Sequence, residues 1–222
     1  MADAAIIFDV DGVLLELTRA EEELFFQPFA SRCDATKLSR DWNSYAIRND
    51  ENVVSELIER HGLGEQEQPI IIQEYLNLLE QQIKSRKIIS RQIAGAPQLL
   101  EQCAAFATLG IATANFREAA RLRLHQAGLW NFVSAYAHGA DGGGHKHEIL
   151  GRALATIALP KSNIVYVGDN VNDVIAGLTH GVHFIGFSQI PQRLEELRNA
   201  GAKHLSSNHT QTLALIKSLL TH

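Results

Sequence analysis

The chain has 222 residues, more than one average domain and fewer than two, so we expect a main domain that carries a smaller insertion. Its 25 acidic and 20 basic residues give a formal net charge of −5, which lacks the basic excess typical of proteins that bind nucleic acid or anionic membranes. The two cysteines form no CxxC pair and no apolar run reaches the ~20 residues that cross a bilayer, so we expect a cytoplasmic protein without a membrane segment.

Short apolar runs alternate with amphipathic segments along most of the chain. Residues 4–10 form a continuous apolar run that ends in acids and a glycine, which is typical of a strand buried on both faces of a parallel sheet. Similar runs predict further strands at residues 109–113, 133–137, 164–167 and 182–185, and the patterns between the strands predict helices at 96–106, 117–127, 147–157 and 173–179. The alternation predicts an α/β fold with a Rossmann-like, doubly wound parallel sheet.

Residues 16–92 interrupt this alternation. They contain helix-compatible segments at 51–61 and 70–89 but no convincing strand. Gly95 and Pro97 mark the return to the alternating pattern. We therefore predict an all-helical insertion at 16–92, placed after the first strand of an α/β core domain formed by residues 1–15 and 93–222.

Polar residues follow the first two predicted strands. The first strand ends in residues 9–12 (DVDG), where Asp9 and Asp11 stand two positions apart. The second ends in Thr113, with Asn115 just before a helix whose first amides could hold an anion. Each signal is ambiguous by itself, because acids and hydroxyl residues are also common at ordinary turns. Their shared position matters more, since ligands of open parallel sheets bind beyond the carboxyl ends of the strands.

Two further candidates lie in the second half of the chain. Lys146 stands at the start of a predicted helix, after the glycines of residues 142–144. The fourth predicted strand runs into residues 165–173 (VYVGDNVND), in which Asp169 and Asp173 are four positions apart and can face the same point. A helix cap explains one of these acids but not both.

These four segments, taken in order, resemble the haloacid dehalogenase-like hydrolase superfamily over the whole chain. The helical insertion matches the cap domain of that family. Residues 168–177 (GDNVNDVIAG) are similar to the branch that contains phosphoglycolate phosphatase and beta-phosphoglucomutase. The chain departs from many members of that branch at the lysine, since the position of their lysine is Gly144 here and Lys146 stands in an arrangement similar to that of phosphoserine phosphatases.

The resemblance implies a Mg²⁺-dependent phosphatase that hydrolyses a small phosphate monoester. Asp9 would be the nucleophile and form an aspartyl-phosphate, and Asp11 would be the acid and base that serves the leaving oxygen and the attacking water. Thr113 and Lys146 would bind the phosphoryl oxygens, with Asn115 beside them.

The same resemblance implies the metal ligands, which are Asp9, the backbone carbonyl of Asp11, Asp169 and Asp173. Arg48, near the start of a predicted helix of the insertion, is a candidate for binding the remote end of the substrate. An exposed arginine with no contact to substrate explains the position equally well.

Two alternatives stay open. A sugar-phosphate mutase of the beta-phosphoglucomutase type uses the same residues but returns the phosphoryl group to its substrate. A non-catalytic protein that binds a phosphorylated ligand could share the fold, although retention of all four acids disfavours it. In each case the expected partner is a small phosphorylated metabolite, and we expect a monomer or homodimer.

Overall fold

The computed structural model describes residues 3–34 and 38–221, and its centre is a parallel β-sheet. Within the described residues the sheet has six strands in the order β3-β2-β1-β4-β5-β6. The strands are β1 Ala5–Phe8, β2 Thr108–Ala112, β3 Ala137–His138, β4 Ile164–Gly168, β5 His183–Phe187 and β6 His204–Ser206. Because Phe8 pairs with both Ile111 and Val167, the chain segments that follow β1, β2 and β4 leave the sheet side by side.

Helices cover both faces of the sheet and form a cap beyond it. The cap helices are α1 Arg19–Phe25, α2 Asp50–Arg60 and α3 Glu67–Lys84. The core helices are α4 Ala96–Ala104, α5 Arg117–Gln126, α6 Trp130–Val133, α7 Lys146–Ile157, α8 Val171–His180, α9 Pro191–Asn199 and α10 His209–Leu220. No helix in the described part of the chain is both long and apolar enough to span a membrane.

Successive residues of the central strand point to opposite layers. Ile6 and Phe8 pack in an apolar core with α4, α5 and α10, whereas Ala5 and Ile7 pack in a second core with α7, α8 and α9. Both faces are therefore buried, which explains why β1 is apolar at every position. The predicted α/β fold with a doubly wound parallel sheet is confirmed.

The cap segment (residues 16–92) has an apolar core of its own, and this core extends onto the sheet domain. Aromatic side chains such as Phe25, Phe26 and Phe29 pack with α2 and α3, and Phe116 at the start of α5 joins the same cluster. The segment leaves and returns at one place, where the N–H of residue 16 donates to the carbonyl of residue 91 and the N–H of residue 93 donates to the carbonyl of residue 14. These contacts lie at the predicted ends of the insertion. The division into a core domain and a cap domain stays a prediction.

One local prediction differs from the structure, and the sequence pattern does not predict several of its elements. The strand predicted at 133–137 is wrong, because Val133 ends a short helix and only Ala137–His138 is extended. Trp130 and Val133 are three positions apart, which is a helical spacing, but neighbouring apolar residues make the segment look like part of a strand. The sequence pattern predicts no element beyond residue 187, where β6 is a three-residue edge strand and α9 is mostly polar. Helix α1 was missed, although Thr18 and Glu21 form a capping box at its start.

Candidate functional site

A cavity of about 650 Å³ lies where the cap segment faces the carboxyl ends of the strands. The core domain contributes the side chains of Asp9, Asp11 and Lys146 to its wall, and the cap contributes Trp42 and Arg48. The residues that follow the central strands therefore face a space that the cap partly covers.

Asp9, Lys146 and Asp173 form a buried charge cluster, which we call the nucleophile cluster after the role predicted for Asp9. The Nζ atom of Lys146 lies 2.8 Å from Oδ1 of Asp9 and 3.0 Å from Oδ1 of Asp173. Burial raises the pKa of Asp9 to about 7, although the charge of Lys146 opposes the shift. Burial alone would lower the pKa of Lys146, but the carboxylates of Asp173 and Asp9 outweigh that effect and raise it. Lys146 therefore stays protonated between the two acids.

Asp173 is held by protein donors at both of its oxygens. Its Oδ2 accepts hydrogen bonds from the backbone N–H groups of Asp169 at 3.2 Å and Asn170 at 3.0 Å, which fixes the turn between β4 and α8. Its Oδ1 accepts a 2.5 Å hydrogen bond from the buried hydroxyl of Tyr166. Tyr166 is not predicted as a site residue, because its only signal in the sequence is a polar group within an otherwise aliphatic strand.

Asp169 completes a group of three carboxylates. Asp9, Asp169 and Asp173 each offer an oxygen, and these oxygens lie within 4.8 Å of one another. Burial, followed by the charges of Asp173 and Asp9, raises the pKa of Asp169 to about 8. Asp169 also contacts the turn after Asp11, because a Cβ at Gly12 would stand 2.2 Å from its Oδ2 and Gly12 has a φ of +75°.

These residues fit a hard divalent cation. Three carboxylates face the single positive charge of Lys146, and burial together with the neighbouring carboxylates raises the pKa of Asp9 and of Asp169. All the available donors are oxygens, which Mg²⁺ prefers. The site thus has the oxygen donors and the excess of carboxylates that a divalent metal ion requires.

Thr113 and Asn115 lie together after β2. The buried hydroxyl of Thr113 accepts a hydrogen bond from the N–H of Asn115 and lies 3.3 Å from Oδ1 of the Asn115 side chain. Asn115 lines the cavity. The structure therefore brings the predicted hydroxyl next to a polar side chain that faces the site.

Arg48 lies apart from these groups, on the cap side of the cavity. Its side chain is exposed, and its Nη1 donates to Oδ1 of Asn43 at 2.8 Å. It contacts none of the four acids through a salt bridge within the described residues. Arg48 therefore borders the site without belonging to its charged centre.

Asp11, Arg123 and Glu21 form a second buried charge cluster, which we call the tether cluster. The guanidinium of Arg123 donates from Nη2 to Oδ1 of Asp11 and from Nε to Oε1 of Glu21, both at 2.7 Å. Neither Arg123 nor Glu21 is predicted from the sequence as a site residue. The spacing of Arg123 from the buried residues Ala119 and Ala120 could have indicated that Arg123 is buried too.

Several solved structures share this fold. CbbY from Rhodobacter sphaeroides in complex with phosphate is 19% identical to the chain, covers 94% of this chain and 95% of its own, and has a TM-score of 0.72. A predicted phosphatase from Clostridium acetobutylicum is 18% identical, covers 98% and 100%, and has a TM-score of 0.70. A CbbY variant in complex with xylulose-(1,5)bisphosphate is 17% identical, covers 94% and 95%, and has a TM-score of 0.71. No curated protein matches the sequence significantly.

The sequence pattern of one family matches most of the chain. This family is the haloacid dehalogenase-like hydrolases, and the match covers residues 6–187. That range includes the cap segment and the loops that follow β1, β2 and β4. The resemblance seen in the sequence is confirmed, and the chain belongs to the haloacid dehalogenase-like hydrolase family.

Proposed function

We propose that this protein is a Mg²⁺-dependent phosphatase that hydrolyses a small phosphate monoester through an aspartyl-phosphate on Asp9. One observation carries the proposal. The carboxylate of Asp9 is buried at the end of the central strand, paired with Lys146, grouped with two further carboxylates and open to the cavity. The CbbY structures, which hold phosphate and a sugar bisphosphate, support a phosphorylated substrate.

Asp9, Asp169 and the backbone carbonyl of Asp11 would hold the Mg²⁺. When bound, the metal supplies positive charge to the carboxylates and to the transferring phosphoryl group. Asp173 contributes mainly by fixing the turn that carries Asp169, since protein donors already hold both of its oxygens.

Asp9 attacks the phosphorus atom, and the bond from phosphorus to the ester oxygen breaks. Lys146 and the backbone N–H of Val10 both donate to Oδ1 of Asp9, so the orientation of the carboxylate is fixed before substrate binds. Lys146 also carries the charge that offsets repulsion between the anionic nucleophile and the anionic phosphoryl oxygens.

Asp11 gives a proton to the ester oxygen as it leaves. A water molecule then attacks the aspartyl-phosphate and loses a proton to Asp11, which releases phosphate and restores the carboxylate of Asp9. Asp11 lines the cavity two residues after the nucleophile, where it can serve both steps.

The substrate would lie between the core and the cap. Thr113, Asn115 and Lys146 would bind the phosphoryl oxygens, and Arg48 would meet the remote end of the molecule. The cavity volume of about 650 Å³ suits a small phosphorylated metabolite. We further expect the enzyme to act in the cytoplasm as a monomer or homodimer.

The test is phosphate release from p-nitrophenyl phosphate and from a panel of phosphorylated metabolites, with Mg²⁺ or with excess EDTA. We expect activity only with Mg²⁺, at least ~10³-fold lower activity for Asp9→Asn, and a phosphorylated Asp9 peptide after acid quench. Asp3→Asn, an exposed acid outside the site, is the matched control.

Four outcomes would contradict the proposal. Metal-independent hydrolysis, or full activity of Asp9→Asn, would overturn the mechanism. An isomerised product formed on addition of a sugar bisphosphate would identify a mutase. Absence of turnover across the panel would favour a non-catalytic phospho-ligand-binding protein.

A further inference from the structure

Arg123 and Glu21 of the tether cluster have no role in the mechanism above, yet Arg123 places a permanent positive charge in a buried position beside Asp11. Arg123 is 3% exposed, and its two carboxylate partners are 4% exposed for Glu21 and 21% for Asp11. A guanidinium keeps its charge even when buried, and leaving a buried charge without partners is costly. The arrangement of Asp11 and Glu21 around Arg123 is therefore specific and not incidental.

The guanidinium connects four segments that border the cavity. Arg123 itself lies on core helix α5, Asp11 in the loop after β1, and Glu21 on cap helix α1. Its Nη1 also donates to Oδ1 of Asn115 at 3.2 Å, and its Nη2 to the carbonyl of Glu16 at 3.3 Å. One side chain thus joins the start of the cap segment to the proposed acid and base.

Glu21 is fixed from its other side. Its Oε2 accepts hydrogen bonds from the N–H of Thr18 at 2.9 Å and from the hydroxyl of Thr18 at 2.7 Å, which cap helix α1. The position of α1 therefore determines where Glu21 meets Arg123. A displacement of α1 would change how Arg123 is shared between Glu21 and Asp11.

We propose that Arg123 is a positioning residue that orients Asp11 and couples its orientation, through Glu21, to the position of cap helix α1. This inference rests on the proposed function, because it assumes that Asp11 is the acid and base. Glu21 is a second anionic partner of Arg123 and compensates part of its charge. The guanidinium therefore orients Asp11, but Asp11 does not have to neutralise it alone. Lysine cannot replace this geometry, because the planar fork of arginine donates to two carboxylates at once.

The experiment is a double-mutant cycle on Asp11 and Arg123. The variants are Asp11→Asn, Arg123→Gln and both together, assayed with an alkyl phosphate from the substrate panel, whose leaving oxygen needs a proton. We expect Arg123→Gln to lower kcat by about 10²-fold with KM within about threefold of the wild-type value, as for a misplaced general acid. In the Asp11→Asn background, Arg123→Gln should lower kcat by no more than about twofold, because the group that it positions is already absent.

Two variants separate this role from helix stability and folding. Arg121→Gln removes a half-buried arginine from the same helix, one that pairs with Glu118, and should leave kcat unchanged. Glu21→Gln addresses the cap end of the cluster if Arg123→Gln fails to fold. It leaves Asp11 as the only carboxylate on Arg123, so we expect a kcat about tenfold lower in the wild-type background and no further loss in Asp11→Asn.

Melting curves and circular dichroism identify the variants that are folded, and only those enter the cycle. Additive losses of kcat for Asp11 and Arg123, or an effect confined to KM, would overturn the inference, because Arg123 would then be structural or would bind substrate. Full activity of Asp11→Asn would instead overturn the proposed acid and base and leave the function itself to be revised.

Discussion

The two buried charge clusters begin only two residues apart in the chain but are built differently. The nucleophile cluster of Asp9, Lys146 and Asp173 lies entirely on core elements, namely the loop after β1 and the starts of α7 and α8. The tether cluster crosses from the core to the cap, because Glu21 belongs to α1.

The clusters also differ in how their charges are used. In the first, one lysine serves two carboxylates with a third nearby, and the pKa of Asp9 and of Asp169 is raised. In the second, all three nitrogens of the Arg123 guanidinium donate hydrogen bonds. The first cluster is therefore short of positive charge and suited to bind a cation and a phosphoryl group. The second is internally satisfied and suited to hold a side chain in place.

Replacing the cation of the nucleophile cluster should have the largest effect. Lys146→Met leaves Asp9 and Asp173 without a counter-ion, so we expect kcat to fall by about 10²–10³-fold, by analogy with loss of an oxyanion donor. We expect the free energy of unfolding to fall by about 3–5 kcal/mol, as when one partner of a buried ion pair is removed. Steady-state kinetics and urea unfolding measure the two effects.

The matched control is Lys161→Met, since Lys161 is exposed before β4. It should change neither kcat nor stability measurably. A Lys146→Met protein with wild-type kcat would show that the reaction does not depend on the positive charge of Lys146.

The sequence predicted the acids of the site because they follow a general rule of parallel sheets. Asp9 follows β1, and Asp169 and Asp173 follow β4, so the topology brings them to one edge of the sheet. The role of Lys146, by contrast, is implied only by the resemblance to the family. Tyr166 could not be selected in this way, because its role depends on where Asp173 stands across the β4–α8 turn.

The tether cluster could not be predicted from the sequence because its contacts join distant segments. Arg123 lies 112 positions from Asp11 and 102 from Glu21. Periodicity places Arg123 on the buried face of α5, but it does not say which cap residue meets that face. The packing of the cap helices against α5 through Phe116 could not be predicted for the same reason, because it also joins segments that are far apart in the sequence.

Asp50 shows what a buried acid at the same boundary experiences without a salt bridge. It starts α2, is 2% exposed, and accepts a 2.7 Å hydrogen bond from the N–H of Phe116, and none of the described salt bridges includes it. Burial raises its pKa to about 7 from an ordinary value of 3.8. Between these values the folded protein keeps a proton that the unfolded chain has lost, so stability should fall as pH rises from about 4 to about 7.

Asp50→Asn removes this titration and should flatten the fall in stability. The two pKa values correspond to a difference of roughly 4 kcal/mol between the ends of that pH range. Urea unfolding of both proteins at half-unit pH intervals, in EDTA, gives the difference curve, with the exposed Asp3→Asn as control. A difference curve that does not change with pH would show that Asp50 has the same pKa in the folded protein and in the unfolded chain. A buried carboxylate at this boundary would then need no counter-ion such as Arg123.

The smallest effect is expected at Arg48, the cap residue that belongs to neither cluster. Its guanidinium is exposed, so a contact with substrate should contribute only about 0.2–1 kcal/mol, and Arg48→Gln should raise KM by no more than about fivefold with kcat unchanged. The rise should appear with a sugar bisphosphate and not with p-nitrophenyl phosphate, which has no remote anionic group, and Arg19→Gln on α1 is the control. Unchanged KM for both substrates would mean that Arg48 is only an exposed arginine, and a large fall in kcat would place it at the reacting phosphoryl group. If KM is unchanged, the cap would influence the chemistry through Glu21 and Arg123 instead. The ion pair between Glu21 of the cap and Arg123 of the core would then be the contact to test next.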